Sequence, residues 1–351
     1  MRIPVRARAP LRISFGGGGT EIDPYRSNYG GEVLSTTVNL YAYSTIENTQ
    51  DQNLIQCVSS DLNLSEKSNI EDLLSGEVDI SKLALKIHFA AYKKIINDFK
   101  IKNLMSIRIT TYCEAPVGSG LGSSSTLSVA IVESLNRFYQ LGMGKKDIAD
   151  KAYIIERKML NLSGGLQDHY AATYGGLNYI NFFKNGDVRV QPIEIEKSTL
   201  YELQASLVLV YTGTSRKSAD IIETQITLKG KKLESYNKKL HGMKVLAQKM
   251  KSALLKNDIK SFGFLIDESW QKKRSLTKFI SNKNINNIYK KTKILGAYGG
   301  KISGAGGGGF LMIICNPNNR AKIINKLISK KFDSYKITLT YTGVKSWDLK
   351  L

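Results

Sequence analysis

Cysteine is scarce in this chain. Cys57, Cys113 and Cys315 are odd in number and far apart. That fits neither a zinc spacing nor a disulfide framework, and the expected setting is a reducing cytoplasm. Long apolar runs are missing too: the longest, Phe310–Cys315, suits a buried strand and falls far short of a membrane span. The N-terminal MRIPVRARAPLR is basic but has no apolar core, so no secretion signal is expected. Negative charge is the minority, with 30 Asp and Glu against 51 Lys and Arg, a net charge of +21. Such an excess suits nucleic acid, an anionic membrane or phosphorylated small molecules. Residues 229–251, KGKKLESYNKKLHGMKVLAQKMK, read as a helix with lysine outside. They lack the interleaved aromatics of a single-strand binder, so the charge is taken as solvated and neither nucleic acid nor membrane is expected as a partner.

The 351 residues allow two domains with separate cores. Alternation over 33–48 predicts a long strand, and the amphipathic stretch 83–96 predicts a helix. SIRITTY (106–112) is strand-like and runs into a glycine-rich loop followed by helical periodicity over 126–141. A further helix is expected over 146–160, then strands near 177–183, 188–193 and 205–211, and long helices to about Tyr298. The end reads as strand, glycine turn and strand over 301–315, then helix, then strand over 335–341. A polar segment near 185–200 is the candidate boundary, dividing the chain into 1–190 and 191–351.

Glycine is plentiful where the chain turns. Within EAPVGSGLGSSSTLSVA (114–130), residues 118–125 set three glycines and four serines at the head of a helix. It is no Walker A loop, which needs Gly-Lys-Ser/Thr, and its glycine spacing is wrong for a dinucleotide fingerprint. The physics of anion binding survives both exclusions. Glycines let backbone NH groups approach a phosphate, and the helix beginning near Ser123 aims its positive end at the same place. A plain serine N-cap would use the same residues. Two more clusters, RAPLRISFGGGGTEIDPY (8–25) and KISGAGGGG (301–309), exceed what turns alone require, and GGLQDHYAATYGG (164–176) frames a carboxylate with glycines.

With APLRISFGGGGT, PVGSGLGSSS and KISGAGGGGF present in that order, the chain resembles the GHMP kinases over residues 8–315 at least. Within them, RISFGGGGT followed by YGGEVLSTTVNLYAY (29–43) looks like the kinases of D-glycero-D-manno-heptose 7-phosphate. Galactokinase-like enzymes carry Glu-His where Gly18-Gly19 stand here, and Glu21 replaces the usual Asp. The resemblance implies an α+β fold of two domains, the first like a ribosomal protein and the second ferredoxin-like, with ATP between them. The implied reaction is ATP- and Mg2+-dependent phosphorylation of the anomeric hydroxyl of the heptose 7-phosphate, feeding nucleotide-activated heptose for surface polysaccharide. The alternatives are a fucokinase-like enzyme acting on an unphosphorylated sugar, or an idle basic nucleotide- or RNA-binding protein.

The same resemblance implies roles. Asp168 stands at the catalytic aspartate, to accept the proton of the attacking hydroxyl and aim it. Arg12 stands at the basic residue beside it, favouring the alkoxide. Glu156, twelve residues before Asp168, and Ser124 are the magnesium candidates. Gly118, Ser119, Gly120, Leu121, Gly122, Ser123 and Ser124 would line the triphosphate, and Ser303, Gly304, Ala305 and Gly306 would buttress the site. Thr20, Glu21, Gly175 and Gly176 are the sugar candidates. Arg216 and Lys217, just past a buried strand, are candidates for the 7-phosphate. His169 is expected to be structural or to edge the substrate, since spacing offers it no partner; His88 and His241 are read as surface or core-edge.

Overall fold

A computed structural model describes residues 2–213, 230–330 and 332–350. Arg216 and Lys217 lie outside the described residues. Two sheets carry the molecule. The larger has nine strands and is built on β1 (Val5–Gly16) and β2 (Gly31–Asn48), followed by β3 (Leu54–Ser59), β4 (Leu64–Asn69) and β5 (Ile107–Cys113). β6 (Asn178–Phe182) pairs with the first residues of β2 and with β7 (Val188–Pro192). The second sheet has four strands: β8 (Leu207–Tyr211), β9 (Ala297–Ile302), β10 (Phe310–Cys315) and β11 (Asp333–Tyr335), in the order β11-β8-β10-β9. The chain then returns, and β12 (Leu339–Thr340) and β13 (Lys345–Asp348) join β2 and β1 of the large sheet. A cut at 190/191 therefore separates the sheets only as far as β11; the last strands belong with the first sheet.

β1 is the central strand of the molecule. Every residue from Ala9 to Gly16 is buried, an unbroken run instead of an alternation. Both of its faces are covered, by the helices Ser123–Tyr139 and Gln167–Tyr174 and by Gly230–Leu255. One apolar core runs through it: Leu11, Ile13 and Phe15 meet Leu246, Met250, Phe262, Phe310 and Met312, so the two sheets share buried surface. A separate core beneath the large sheet gathers Phe89, Tyr92, Ile107 and Val129, and another behind the small sheet gathers Trp270, Ile313 and Ile323.

Most expected elements are present, with instructive shifts. The helix expected over 83–96 spans Lys86–Asp98. The helix expected over 146–160 is divided: an α-helix ends at Tyr153 and a π-helix follows over Ile154–Met159. The wider turn changes which side chains face inward, and it buries Glu156. The strand expected over 335–341 is split between sheets, because Tyr335 ends β11 while Leu339 begins β12. β9 begins at Ala297, earlier than expected, and its Gly299 and Gly300 sit where side chains would strike the Gly263 and Met312 carbonyl oxygens. β1 and the β3–β4 hairpin are additional to the expected strands, although apolar and polar residues alternate from Val5 to Phe15.

The returning C-terminal segment is tightly fitted. A Cβ on Gly343 would overlap the carbonyl oxygen of Thr173, and Val344 N–H bonds that same oxygen at 3.3 Å. Gly343→Ala is expected to cost about 1–3 kcal/mol through overpacking, seen as a fall of several degrees in Tm; an unchanged Tm would show that the return strand is dispensable.

Candidate active site

The loop 118–122 lies where the two sheets meet. Arg12 N–H of β1 bonds the Leu121 carbonyl at 3.1 Å, and Phe310 N–H of β10 bonds the Ser119 carbonyl at 2.9 Å. Gly118, Gly120 and Gly122 all have φ between 73° and 80°, the left-handed region that L side chains rarely adopt. Sterics add to this. A Cβ on Gly120 would stand 2.6 Å from the Ser303 carbonyl oxygen, and one on Gly122 would stand 3.1 Å from the Asp168 carboxylate. The second and third glycine motifs therefore touch through bare backbone. The helix Ser123–Tyr139 begins directly after Gly122 with no side chain capping its first turn, leaving NH groups directed toward the loop.

A cleft of about 350 Å³ opens on this loop. Gly118, Gly120, Gly122, Ser123 and Ser124 line one part, and Arg12, Asp168, Glu156, Arg157, Glu21, Gln167, Lys273 and Gly304 line the rest. Arg12 is buried and makes three contacts: Nε to Asp168 Oδ1 at 2.7 Å, and Nη1 to the Gly120 carbonyl at 2.6 Å and to Ser303 Oγ at 3.4 Å. Asp168 occupies the first turn of the Gln167–Tyr174 helix, where the macrodipole favours a carboxylate.

Glu156 is held by more partners than the sequence suggested. Ser124 Oγ donates to Oε1 at 2.6 Å, Ser125 Oγ donates to Oε2 at 2.6 Å, and His169 Nε2 lies 2.7 Å from Oε2. Arg157 Nη1 stands 3.4 Å from Oε1. Burial pushes this carboxyl up, but the Arg157 charge, the His169 contact and the Ser124 hydroxyl outweigh it and bring it down to about 2. His169 thus has a partner after all. The π-helix makes the pairing, and spacing along the chain could not reveal it. Arg157 also donates to the Leu162 and Ser163 carbonyls and to Ser125 Oγ, and fills the space beside Gly164.

At the other end, Glu21 is buried and its oxygens are already engaged: Gly19 N–H donates at 2.7 Å and Gln167 Nε2 donates to Oε1. Burial, and then the Asp168 charge, raise its carboxyl above the usual range, against the pull of backbone NH groups and Lys273. The longer side chain fits because position 165 is glycine; a Cβ there would come within 2.7 Å of Glu21.

Three expectations for the sugar region are corrected. Thr20 does not line the cleft: its Oγ1 donates to the Gly17 carbonyl at 2.8 Å and accepts from Glu32 N–H at 3.0 Å, fixing the loop. Gly175 and Gly176 pack against residues 341–343 of the returning segment, away from the cleft. In the loop itself, Leu121 points into the shared core and Ser119 bonds Ser123 Oγ at 2.9 Å, so neither lines the cleft with its side chain. Residues that sequence reasoning did not single out also line it, Arg157, Gln167 and Lys273 among them. Gln167 and Arg157 adjoin named candidates, but nothing in the sequence marks Lys273, in KKR at the end of the helix Ile259–Arg274.

Two family descriptions match the chain, "GHMP kinases N terminal domain" over residues 84–176 and "GHMP kinases C terminal" over 250–334. The chain is 37% identical over 347 residues to a D-glycero-alpha-D-manno-heptose 7-phosphate kinase of Campylobacter jejuni subsp. jejuni, covering 98% of each protein. The chain belongs to the GHMP kinases. Its structure superposes with a TM-score of 0.79 on one described as a D-glycero-D-manno-heptose 1-phosphate kinase from Bacteroides thetaiotaomicron, at 32% identity and covering 99% and 100% of the two chains. An L-fucokinase/L-fucose-1-P guanylyltransferase of Bacteroides fragilis is 25% identical over 353 residues, 93% of this chain and 36% of that one. As a GHMP kinase it is a phosphotransferase acting on a hydroxyl group, with two-domain α+β architecture, and ATP is its phosphoryl donor. Among the described residues no helix is long and apolar enough to cross a membrane.

Glu156 offers a pH test. Its folded pKa lies below its ordinary value of 4.5, so the stability it adds is present above 4.5 and is lost as pH falls toward about 2. Denaturant melts at stepped pH are expected to show wild type well above Glu156→Gln near neutrality, with the gap closing as the pH is lowered below 4.5. A constant gap would mean that Glu156 is not ionised in the folded protein.

Proposed function

We propose that this GHMP kinase transfers the γ-phosphoryl of ATP to the anomeric hydroxyl of D-glycero-α-D-manno-heptose 7-phosphate, giving the 1,7-bisphosphate. The substrate rests on one observation, the 37% identity maintained over 98% of both chains with a kinase of that name. The fucokinase-like reading has 25% identity and covers about a third of its relative. Nucleotide binding falls to the unit spanning 1–190, with 191–351 supplying the opposite wall and the return strand.

The chemistry follows from the cleft. Backbone NH groups of Gly118–Gly122 and the start of the Ser123–Tyr139 helix receive the triphosphate. Arg12 holds one oxygen of Asp168 and fixes the direction of the carboxylate. The acceptor hydroxyl is then aimed by Asp168, which takes its proton as the oxygen attacks phosphorus. The contribution of Asp168 is mainly alignment, in keeping with a loose phosphoryl-transfer transition state. Arg12 also faces the alkoxide charge as it develops.

Ser124 Oγ and Glu156 Oε1 are 2.6 Å apart and both residues line the cleft beside the loop. Two hard oxygens, one of them a carboxylate kept ionised, suit Mg2+, which takes one or two protein oxygens and completes its shell with phosphate and water. The ion would neutralise phosphate charge there. Arg157 reaches the same carboxylate and adds a second positive group on the phosphate side.

ADP release with Mg-ATP, measured against heptose 7-phosphate, unphosphorylated heptose, fucose, galactose and mevalonate, tests the reading. Turnover is expected on heptose 7-phosphate, and Asp168→Asn should lower kcat by about 10²–10⁴ while ATP binding persists. Preference for an unphosphorylated sugar would overturn the acceptor; full activity in Asp168→Asn would overturn the mechanism.

A further inference from the structure

Arg12, Arg157 and Lys273 are the three cations lining the cleft among the described residues. Two are committed. Arg12 is ion-paired to Asp168, and Arg157 to Glu156 with three further acceptors. Lys273 is different. Its ammonium donates to the Gly304 carbonyl, and no described carboxylate forms an ion pair with it. It is nevertheless only 6% exposed. A buried ammonium without a counter-charge is costly, and an ammonium has three donors of which the carbonyl uses one.

Its place in the cleft narrows what would complete it. Lys273 stands with Glu21, Tyr236, Leu276 and Ala305, and the Ser124–Glu156–Arg157 cluster forms the phosphate side around the loop. The charged groups facing it are Glu21 and Asp168, which attract, and Arg12 and Lys301, which repel. Lys301 is fully buried in β9, bonds the Phe15 carbonyl at 3.2 Å and is held far below its ordinary pKa by burial and by these neighbouring cations. Glu21 is turned inward onto Gly19 and Gln167, so it is no partner for the ammonium.

We propose that Lys273 receives the phosphate that the acceptor sugar already carries, so that the cleft selects a phosphorylated sugar over its unphosphorylated counterpart. This rests on the acceptor class proposed above. A charge-assisted contact of this kind is worth roughly 10–100-fold in binding. It also carries a pH signature. Burial brings the Lys273 pKa down to about 8, with Arg12 adding to the fall and Glu21 and Asp168 opposing it. Above that pH the free enzyme loses the ammonium, and the Michaelis constant for the sugar phosphate rises about tenfold per pH unit. The substrate phosphate is a dianion well below that pH and does not contribute. Arginine stays charged throughout.

Steady-state kinetics of the full chain with Mg-ATP test this with wild type, Lys273→Met and Lys273→Arg on heptose 7-phosphate and on heptose, with Tm measured for each. Lys273→Met is expected to raise KM for the sugar phosphate by about 10–100-fold, a loss well beyond any change in kcat/KM for unphosphorylated heptose or in KM for ATP. Lys273→Arg is expected to keep most of the affinity and to abolish the rise in KM above pH 8. Equal losses on both sugars, a loss that appears in ATP instead, or an alkaline rise that persists in Lys273→Arg would each overturn the assignment, and the last applies even if the methionine variant does not fold. Failure of the acceptor reading is visible separately, in wild type alone, as absence of preference for the phosphorylated sugar.

Discussion

The guanidinium of Arg12 ties together four separated parts of the chain. It belongs to β1, pairs with Asp168 at the head of a helix, bonds the Gly120 carbonyl of the glycine loop and touches Ser303 of the other sheet. A buried arginine is tolerable only when its donors are used, and here they are used on the groups that must be aligned for phosphoryl transfer. The surrounding architecture serves this contact. β1 is covered on both faces, so Arg12 is shielded from water, and the register shift between Pro10 and Arg12 in the β1–β2 pairing marks the point where the strand turns it inward.

Charge around the cleft is sorted by partner and depth. Glu156, fully buried, is driven low by two hydroxyls, a histidine and an arginine, so a carboxylate persists where phosphate-side oxygens are wanted. Glu21, equally buried, is driven high by burial and by the neighbouring Asp168 charge, which its amide donors and Lys273 do not outweigh. Lys273 and Lys301 are driven low by burial first and by neighbouring cations, Arg12 among them. The cleft therefore sets three cations, Arg12, Arg157 and Lys273, against three carboxylates, Glu21, Glu156 and Asp168, a balance that the chain's total of +21 does not convey.

Close backbone approach is the second constraint. Gly120 against Ser303, Gly122 against Asp168 and Gly165 against Glu21 are positions where any side chain would push apart two motifs far separated in sequence. This explains why three glycine clusters recur in one chain, and why the Glu21 substitution for the usual Asp is accommodated without opening the loop.

The glycine motifs, their order and the carboxylates between them were legible in the residues, because turns with positive φ and bare backbone contacts demand glycine whatever the rest of the chain does. Asp168, Glu156 and Arg12 could be named from the motifs they occupy. Long periodic elements such as β2 and the Ser123–Tyr139 helix were legible for a similar reason: burial on one side imposes a repeat. β1 alternates as well, from Val5 to Phe15, but its polar members from Arg12 onward are buried with the apolar ones because both faces are covered. Tertiary structure alone decided the rest. It turned Thr20, Gly175 and Gly176 into packing, because their neighbours come from Glu32 and from the returning segment 341–343. It gave His169 a partner through a π-helix that shifts Glu156 around the axis, and it brought Lys273, one lysine among many in a basic helix end, beneath the cleft floor. A side chain's partner across 100 residues depends on how sheets and helices pack, and local sequence carries no record of that.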